Sequence, residues 1–301
     1  MIIGIPRALL FYKYGHFWQA FFKYLGLRVV ISEVTNKKIM KNGIKYSIDE
    51  SCLSSKVFIG HVVDLKGKCD VILVPRIASL CKKEELCAKF WALPDIVRNT
   101  FKDINIISCD IDYESKKDEK SAYLKLGEEL GFNAKEVTNA YKFAKEKESS
   151  IKLAKERKQE ILITSNDIKI LVVSHPYNIY DEYIGKPILD YLSELGIKII
   201  MADIAQVEEA RKKSKKISKS LYWTYNKELL GAIAMYQDVV DGILIVSSFP
   251  CGPDSLVNDL IIRKIKNIPI STIIIDEQEA KTGVETRLES FVDILKLRKN
   301  R

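Results

Sequence analysis

The stretch Gly242-Ile243-Leu244-Ile245-Val246-Ser247-Ser248-Phe249-Pro250-Cys251-Gly252-Pro253-Asp254-Ser255 decides the fold. Ile243 to Val246 is an apolar run of strand length. Gly252 permits a tight turn, and Pro253 suits the first turn of a helix, where a missing N–H costs nothing. The stretch therefore reads strand, turn, helix. Cys251 falls at the turn, near the positive end of the helix dipole, which favours a thiolate. Asp254 and Ser255 are expected to cap that helix.

The same alternation continues outward. Downstream, the pattern predicts a helix over 254–265, a strand over 270–275 and a terminal helix over 286–297. Upstream, Lys169–Val173 and Lys198–Ala202 read as strands, separated by a helix over 186–195 that stops at Gly196. Helices fill much of 205–236. The N-terminal part repeats the scheme, with strands at Ile2–Pro6, Arg28–Ser32, Val71–Val74 and Ile104–Ser108. Between the first two, residues 8–25 place Leu9, Tyr12, His16, Phe17, Phe21 and Tyr24 near one helical face, and Gly26 ends the helix. Thr35 is expected to cap a short helix before Gly43, and Leu53–Leu65 and Glu84–Phe101 to be helical, the latter around Pro94. Tyr113 to Ile163 is charged, poor in Gly and Pro, and reads as helix.

Strands alternating with helices give parallel sheets. The predicted fold class is α/β: two Rossmann-like (flavodoxin-like) parallel-sheet lobes, residues 1–112 and 166–301, joined by a helical connector over 113–165. In such lobes ligands sit beyond the carboxyl ends of the strands.

Composition narrows the class. Apolar residues make up 47% of the chain, enough for an ordinary core. No run approaches the ~20 apolar residues of a membrane span. Met1-Ile2-Ile3-Gly4-Ile5-Pro6 reads as a first strand rather than a signal peptide, so a cytoplasmic protein with no membrane partner is expected. The net charge is +8, and Arg211, Lys212, Lys213, Lys215, Lys216 and Lys219 crowd one short stretch. No aromatic residue interleaves with them, as a stacking platform for bases requires, so they read as a solvated surface and no nucleic-acid partner is expected. The excess suits an acidic ligand or an acidic redox partner.

Six cysteines stand at 52, 69, 81, 87, 109 and 251. A reducing compartment disfavours disulfides. No C-x-x-C pair exists, so any metal site must draw on distant parts of the chain. Cys52, in Asp49-Glu50-Ser51-Cys52-Leu53-Ser54-Ser55-Lys56, precedes a predicted helix, as Cys251 does. Cys87 follows the third strand and its loop, with Cys81 and Cys109 as competitors; Cys69 reads as structural. His175 follows the strand Lys169–Val173 ahead of Pro176 and faces the ligand edge, so it reads either as a proton donor or substrate contact or, equally, as a structural histidine bonding its own loop. Lys56 is a second catalytic candidate, and Arg76 reads either as an anion contact or as half of a structural ion pair. His61, among Ile59, Val62 and Val63, reads as a satisfied core histidine.

Several strings carry a family resemblance. They are Ile3-Gly4-Ile5-Pro6-Arg7-Ala8-Leu9 with Tyr12-Lys13-Tyr14; Glu50-Ser51-Cys52-Leu53 with Gly60-His61-Val62; and Val74-Pro75-Arg76 followed by Cys87 and Leu93-Pro94-Asp95. The second half adds His175-Pro176-Tyr177-Asn178, Leu221-Tyr222-Trp223-Thr224-Tyr225, Pro250-Cys251-Gly252-Pro253-Asp254-Ser255, and Asp276-Glu277 with Thr286-Arg287-Leu288-Glu289. Together they resemble acyl-CoA dehydratase activase-related proteins, of the superfamily of 2-hydroxyacyl-CoA dehydratase and benzoyl-CoA reductase subunits. That resemblance implies a 4Fe-4S cluster, or a double-cubane one, held by Cys52, Cys87 and Cys251. It also implies low-potential electron transfer or reductive chemistry on an acyl-CoA-like substrate, in an anaerobic setting, with electrons from a separate ATP-hydrolysing activase. Ser54 and Ala88 depart from the family pattern, where prolines are usual. No phosphate loop of the form G-x-x-x-x-G-K-S/T is present, so ATP-driven reduction is assigned to another polypeptide. The second reading is a non-catalytic, cluster-bearing accessory or maturation protein; the third is a cluster-free α/β binding protein. The sequence names no substrate and leaves oligomerisation open.

Overall fold

The structure, a computed structural model, describes residues 1–277 and 281–299. The chain divides into two compact units: Met1–Ile151 with Tyr222–Thr224, and Lys152–Leu221 with Tyr225–Arg301.

The first unit alternates as expected: β1 (Ile2–Ile5), α1 (Phe11–Tyr24), β2 (Arg28–Ile31), α2 (Lys37–Lys45), α3 (Leu53–Leu65) and β3 (Val71–Leu73). Then come β4 (Arg76–Ser79), α4 (Ala88–Thr100), β5 (Ile106–Ile107), β6 (Asp110–Asp112), α5 (Glu119–Glu129) and the long α6 (Ala134–Ile163), whose end passes into the second unit. Four strands form a parallel sheet in the order β2-β1-β3-β5, and β4 pairs with β6 in a small parallel sheet. The returning segment Tyr222–Thr224 belongs here because Glu85 N–H donates to Tyr222 O and Thr224 N–H donates to Glu85 O.

The second unit contains β7 (Lys169–Val173), α7 (Pro176–Ile179), α8 (Lys186–Glu194), β8 (Lys198–Met201), α9 (Val207–Ser214) and α10 (Thr224–Tyr236). It closes with β9 (Gly242–Ser248), α11 (Gly252–Lys264), β10 (Ile270–Ile275) and α12 (Lys281–Lys299). Its sheet is also parallel, in the order β10-β9-β7-β8. Counted within each four-stranded sheet, both run second, first, third, fourth, the order that opens flavodoxin-like folds. Every residue of β9 is buried, as a strand covered on both faces requires.

Both units end the helix before their second strand in the same way. Gly26 and Gly196 adopt left-handed backbone, with φ 74 and 78. The next amide then reaches back: Leu27 N–H to Phe22 O at 3.0 Å, and Ile197 N–H to Leu192 O at 3.1 Å. This closes the helix and turns the chain into the strand.

Two seams position the first unit's edge. Trp18 Nε1 donates to Tyr123 Oη at 2.8 Å, docking α5 on the aromatic face of α1. Helices α2 and α3 touch through backbone: a Cβ at Gly43 would lie 2.1 Å from Lys56 O, and one at Gly60 would lie 2.1 Å from Ile39 O. Among the described residues, no helix is long and apolar enough to cross a membrane.

Two sequence-level expectations fail in detail. The cap of α2 is Asn36, not Thr35; Asn36 Oδ1 accepts from the amides of Lys38 and Ile39. Cys251 occupies the cap position of α11 with no side-chain cap bond, while Asp254 is turned into the protein. Ser255 Oγ donates to Cys251 O at 2.8 Å instead of capping.

Candidate functional site

In a sheet of this order, the loops after the first and third strands leave in opposite directions and open a crevice at the carboxyl edge. Each unit places polar residues there.

In the second unit, β7 leads into Ser174 and His175, and β9 leads through Cys251 into α11. His175 Nε2 lies 2.9 Å from Asp254 Oδ1, joining residues 79 positions apart. Asn226 Nδ2, on α10, donates to the same oxygen at 2.8 Å, and the Cys251 thiol also hydrogen-bonds the carboxyl. Burial alone would push the Asp254 carboxyl up. The charge of His175 and the bonds from His175, Asn226 and Cys251 outweigh it and hold the group below the ordinary carboxylate range. Asp254 is therefore an anion, and its partner nitrogen on His175 carries the proton. The ring of Tyr177 stacks on His175 at 5.0 Å, and Tyr225 meets it edge-on at 6.4 Å. His175 Nδ1 is buried without a hydrogen-bond partner.

In the first unit, Arg7 follows β1 and its amide donates to Ser32 Oγ at 2.7 Å. Ser32 Oγ lies 2.8 Å from His61 Nδ1, and Thr35 Oγ1 lies 2.9 Å from His61 Nε2. Burial is the main force lowering the His61 pKa to about 4; Asp64 opposes it and Arg7 adds to it. A neutral imidazole satisfies both neighbours, one nitrogen accepting and the other donating. His61 is thus the satisfied core histidine that the sequence suggests.

The three cysteines singled out above each stand at a helix start. Cys52 precedes α3 and Cys87 precedes α4 in the first unit; Cys251 precedes α11 in the second. Lys56 is buried in the first turn of α3. Lys89 Nζ donates to Ser51 Oγ at 3.2 Å. Cys81 lies 3.2 Å from Glu84 Oε2, and Cys109 is buried, which drives its thiol pKa well up. Arg76 takes the structural option: both its terminal nitrogens grip Asp95, at 2.8 and 2.9 Å, and one also donates to Trp91 O.

Two parallel α/β units, each with a polar carboxyl edge, define the class of protein: a two-unit α/β protein built on flavodoxin-like strand order. The chain belongs to the family described as the CoA enzyme activase uncharacterised domain (DUF2229), whose model matches residues 2–205. No curated protein matches it. Among solved structures it is similar to a Zn(II)-bound variant of AdcAII of Streptococcus pneumoniae, at 12% identity and TM-score 0.28, covering 98% of each chain. AdcAII of Streptococcus pneumoniae itself gives 10% and 0.30 over 98% of each chain. The laminin-binding protein Lbp of Streptococcus pyogenes gives 10% and 0.27, covering 98% of this chain and 97% of that one. These scores are too low to carry the chemistry of those proteins to this chain.

The family match corrects the functional expectation. It places the chain with CoA enzyme activase domains, not with the cluster-bearing dehydratase subunits that the motifs suggested. The iron–sulfur assignment, and with it low-potential electron transfer by this chain, is withdrawn on a second ground. Among the described residues, no group of three or more His, Cys, Asp or Glu is arranged to hold a metal ion. The cluster-bearing accessory reading is corrected in the same respect. The residues that sequence reasoning missed are Asn226, Ser32, Thr35 and the orientation of Asp254. Each unit gathers its own: Ser32 and Thr35 meet His61 in the first, and Asn226 meets Asp254 in the second, and no spacing in the sequence announces either contact.

Proposed function

We propose that this chain is a component of a CoA-enzyme activation system, acting on partner proteins rather than turning over a thioester itself. The observation that carries this reading is the family match over residues 2–205, which spans the whole first sheet and β7 and β8 of the second. The partners it implies are a CoA-thioester enzyme and an ATP-hydrolysing activase. The His175–Asp254 pair supports a role for the second unit's edge as the working surface, since a buried, oriented imidazole is suited to accept or pass a hydrogen bond.

The test is reconstitution. The full chain is combined with a CoA-thioester enzyme and an ATP-hydrolysing activase from the same genome, and complex formation and ATP turnover are followed. The expected result is a complex on gel filtration and a change in ATP turnover of about fivefold or more, within the range of ordinary allosteric coupling. No complex together with unchanged turnover rejects the reading.

A further inference from the structure

Three arginines are half-buried among the described residues: Arg7, Arg76 and Arg211. Two are neutralised. Arg76, with 21% of its side chain exposed, pairs with Asp95, and Arg211, with 23% exposed, pairs with Glu228 at 2.8 Å. Arg7 has no carboxylate within ion-pair distance among the described residues. Its guanidinium lies 5.7 Å from the centre of the Phe11 ring, and its Nε is buried without a hydrogen-bond partner. Only Nε is buried, so the terminal nitrogens of this half-buried cation remain free to meet an anion that comes from solvent.

The position fits a ligand. Arg7 stands at the carboxyl end of β1, where the strand order reverses between β1 and β3. The turn that follows passes through Leu9 at φ 48, left-handed backbone in a residue that is not glycine. Helix α1 then begins with no side-chain cap and no acidic residue of its own in its first turn, which leaves its N-terminal end suited to an anion. His61 is held neutral by burial, so it adds no charge of its own at this edge.

We propose that Arg7 anchors a phosphate-type oxyanion at the carboxyl edge of the first sheet. A guanidinium is suited to this because its planar fork matches oxyanion geometry. The oxyanion comes either from free phosphate or from the phosphate of a mononucleotide. The inference does not depend on the activation reading, because it concerns the isolated chain.

The experiment is titration of the full chain at low ionic strength with inorganic phosphate and, separately, with AMP, followed by calorimetry. Both are expected to bind; tighter binding of AMP identifies a nucleotide, and equal binding identifies free phosphate. Arg7→Gln is expected to weaken binding by about tenfold or more, the loss of one charge-assisted pair. Arg28→Gln, at an exposed arginine, is expected to leave it unchanged. Absence of binding to the unaltered chain up to about 10 mM, or equal binding by Arg7→Gln, overturns the proposal. If Arg7→Gln does not fold, the Nε–H resonance of Arg7 in the unaltered chain decides: a shift on adding phosphate supports the site, and an unmoved signal overturns it.

Discussion

The two carboxyl edges share a strand order and differ in electrical character. The first unit gathers an uncompensated arginine and a histidine that burial keeps neutral between two hydroxyls. The second gathers an aspartate held anionic by a histidine, an asparagine and a thiol. The same architectural position therefore favours an anion in one unit and a hydrogen-bond donor or cation in the other. Fold alone does not assign chemistry; the residues grafted at the edge do.

The largest effect is expected where the second edge is broken. Asp254→Ala strands three donors in a buried space and leaves His175 without its partner. Removing one member of a buried pair costs about 3–5 kcal/mol. Urea unfolding should show this loss in the second unit, and a loss under about 1 kcal/mol would mean that the network does not anchor this edge.

Acid should separate the edges. The folded pKa of His61 is about 4, below its ordinary 6.5. Above pH 6.5 the ring is neutral whether folded or not, so stability is unaffected; below it the unfolded chain binds the proton first, and stability falls until about pH 4. The total is about 3 kcal/mol. Asp254 acts lower down: its folded pKa is also depressed, so its contribution is complete above the ordinary carboxylate range and is lost as pH falls through the folded value. Stability measured from pH 7 to 3 should therefore decline in two windows. His61→Gln should flatten the upper one only, and an unchanged slope there would erase the contrast.

How much of this is readable in the sequence depends on range. Strand β9 and the glycine stops at Gly26 and Gly196 are local signals, and the folded chain uses each as expected. The Thr35 cap fails because its hydroxyl is drawn to His61, leaving Asn36 to take the helix amides. The Asp254 cap fails because His175 and Asn226 hold the carboxyl inside. Strands β4 and β6 escape notice because they are short and mixed, with Arg76, Asp110 and Asp112 among their residues. At the candidate site, His175 was visible from its place after an apolar strand, but its partner was not: a contact over 79 positions is set by strand order and register, which one sequence does not print.

The seating of the first edge offers a smaller test. Helix α3 carries His61 and meets α2 through Gly43, where an added methyl group would strike Lys56 O. Gly43→Ala should cost about 1–3 kcal/mol through overpacking. The upper pH window should shrink as well, because a displaced α3 lets water reach His61. Destabilisation with an intact window would show that His61 is held by Ser32 and Thr35 alone.

The smallest effect concerns the two arginines that flank the first edge. Arg76 grips Asp95 with both terminal nitrogens, but Asp95 is 52% exposed, so water and salt weaken the pair. Arg76→Gln should cost about 0.5–1 kcal/mol, and less as salt rises. Arg7→Gln removes a cation that has no counter-ion, so it should leave stability within about 0.5 kcal/mol, with any change toward greater stability at low salt. The sign is what matters. If both substitutions destabilise equally, Arg7 has a compensating partner in the folded chain, and the electrical difference between the two edges disappears.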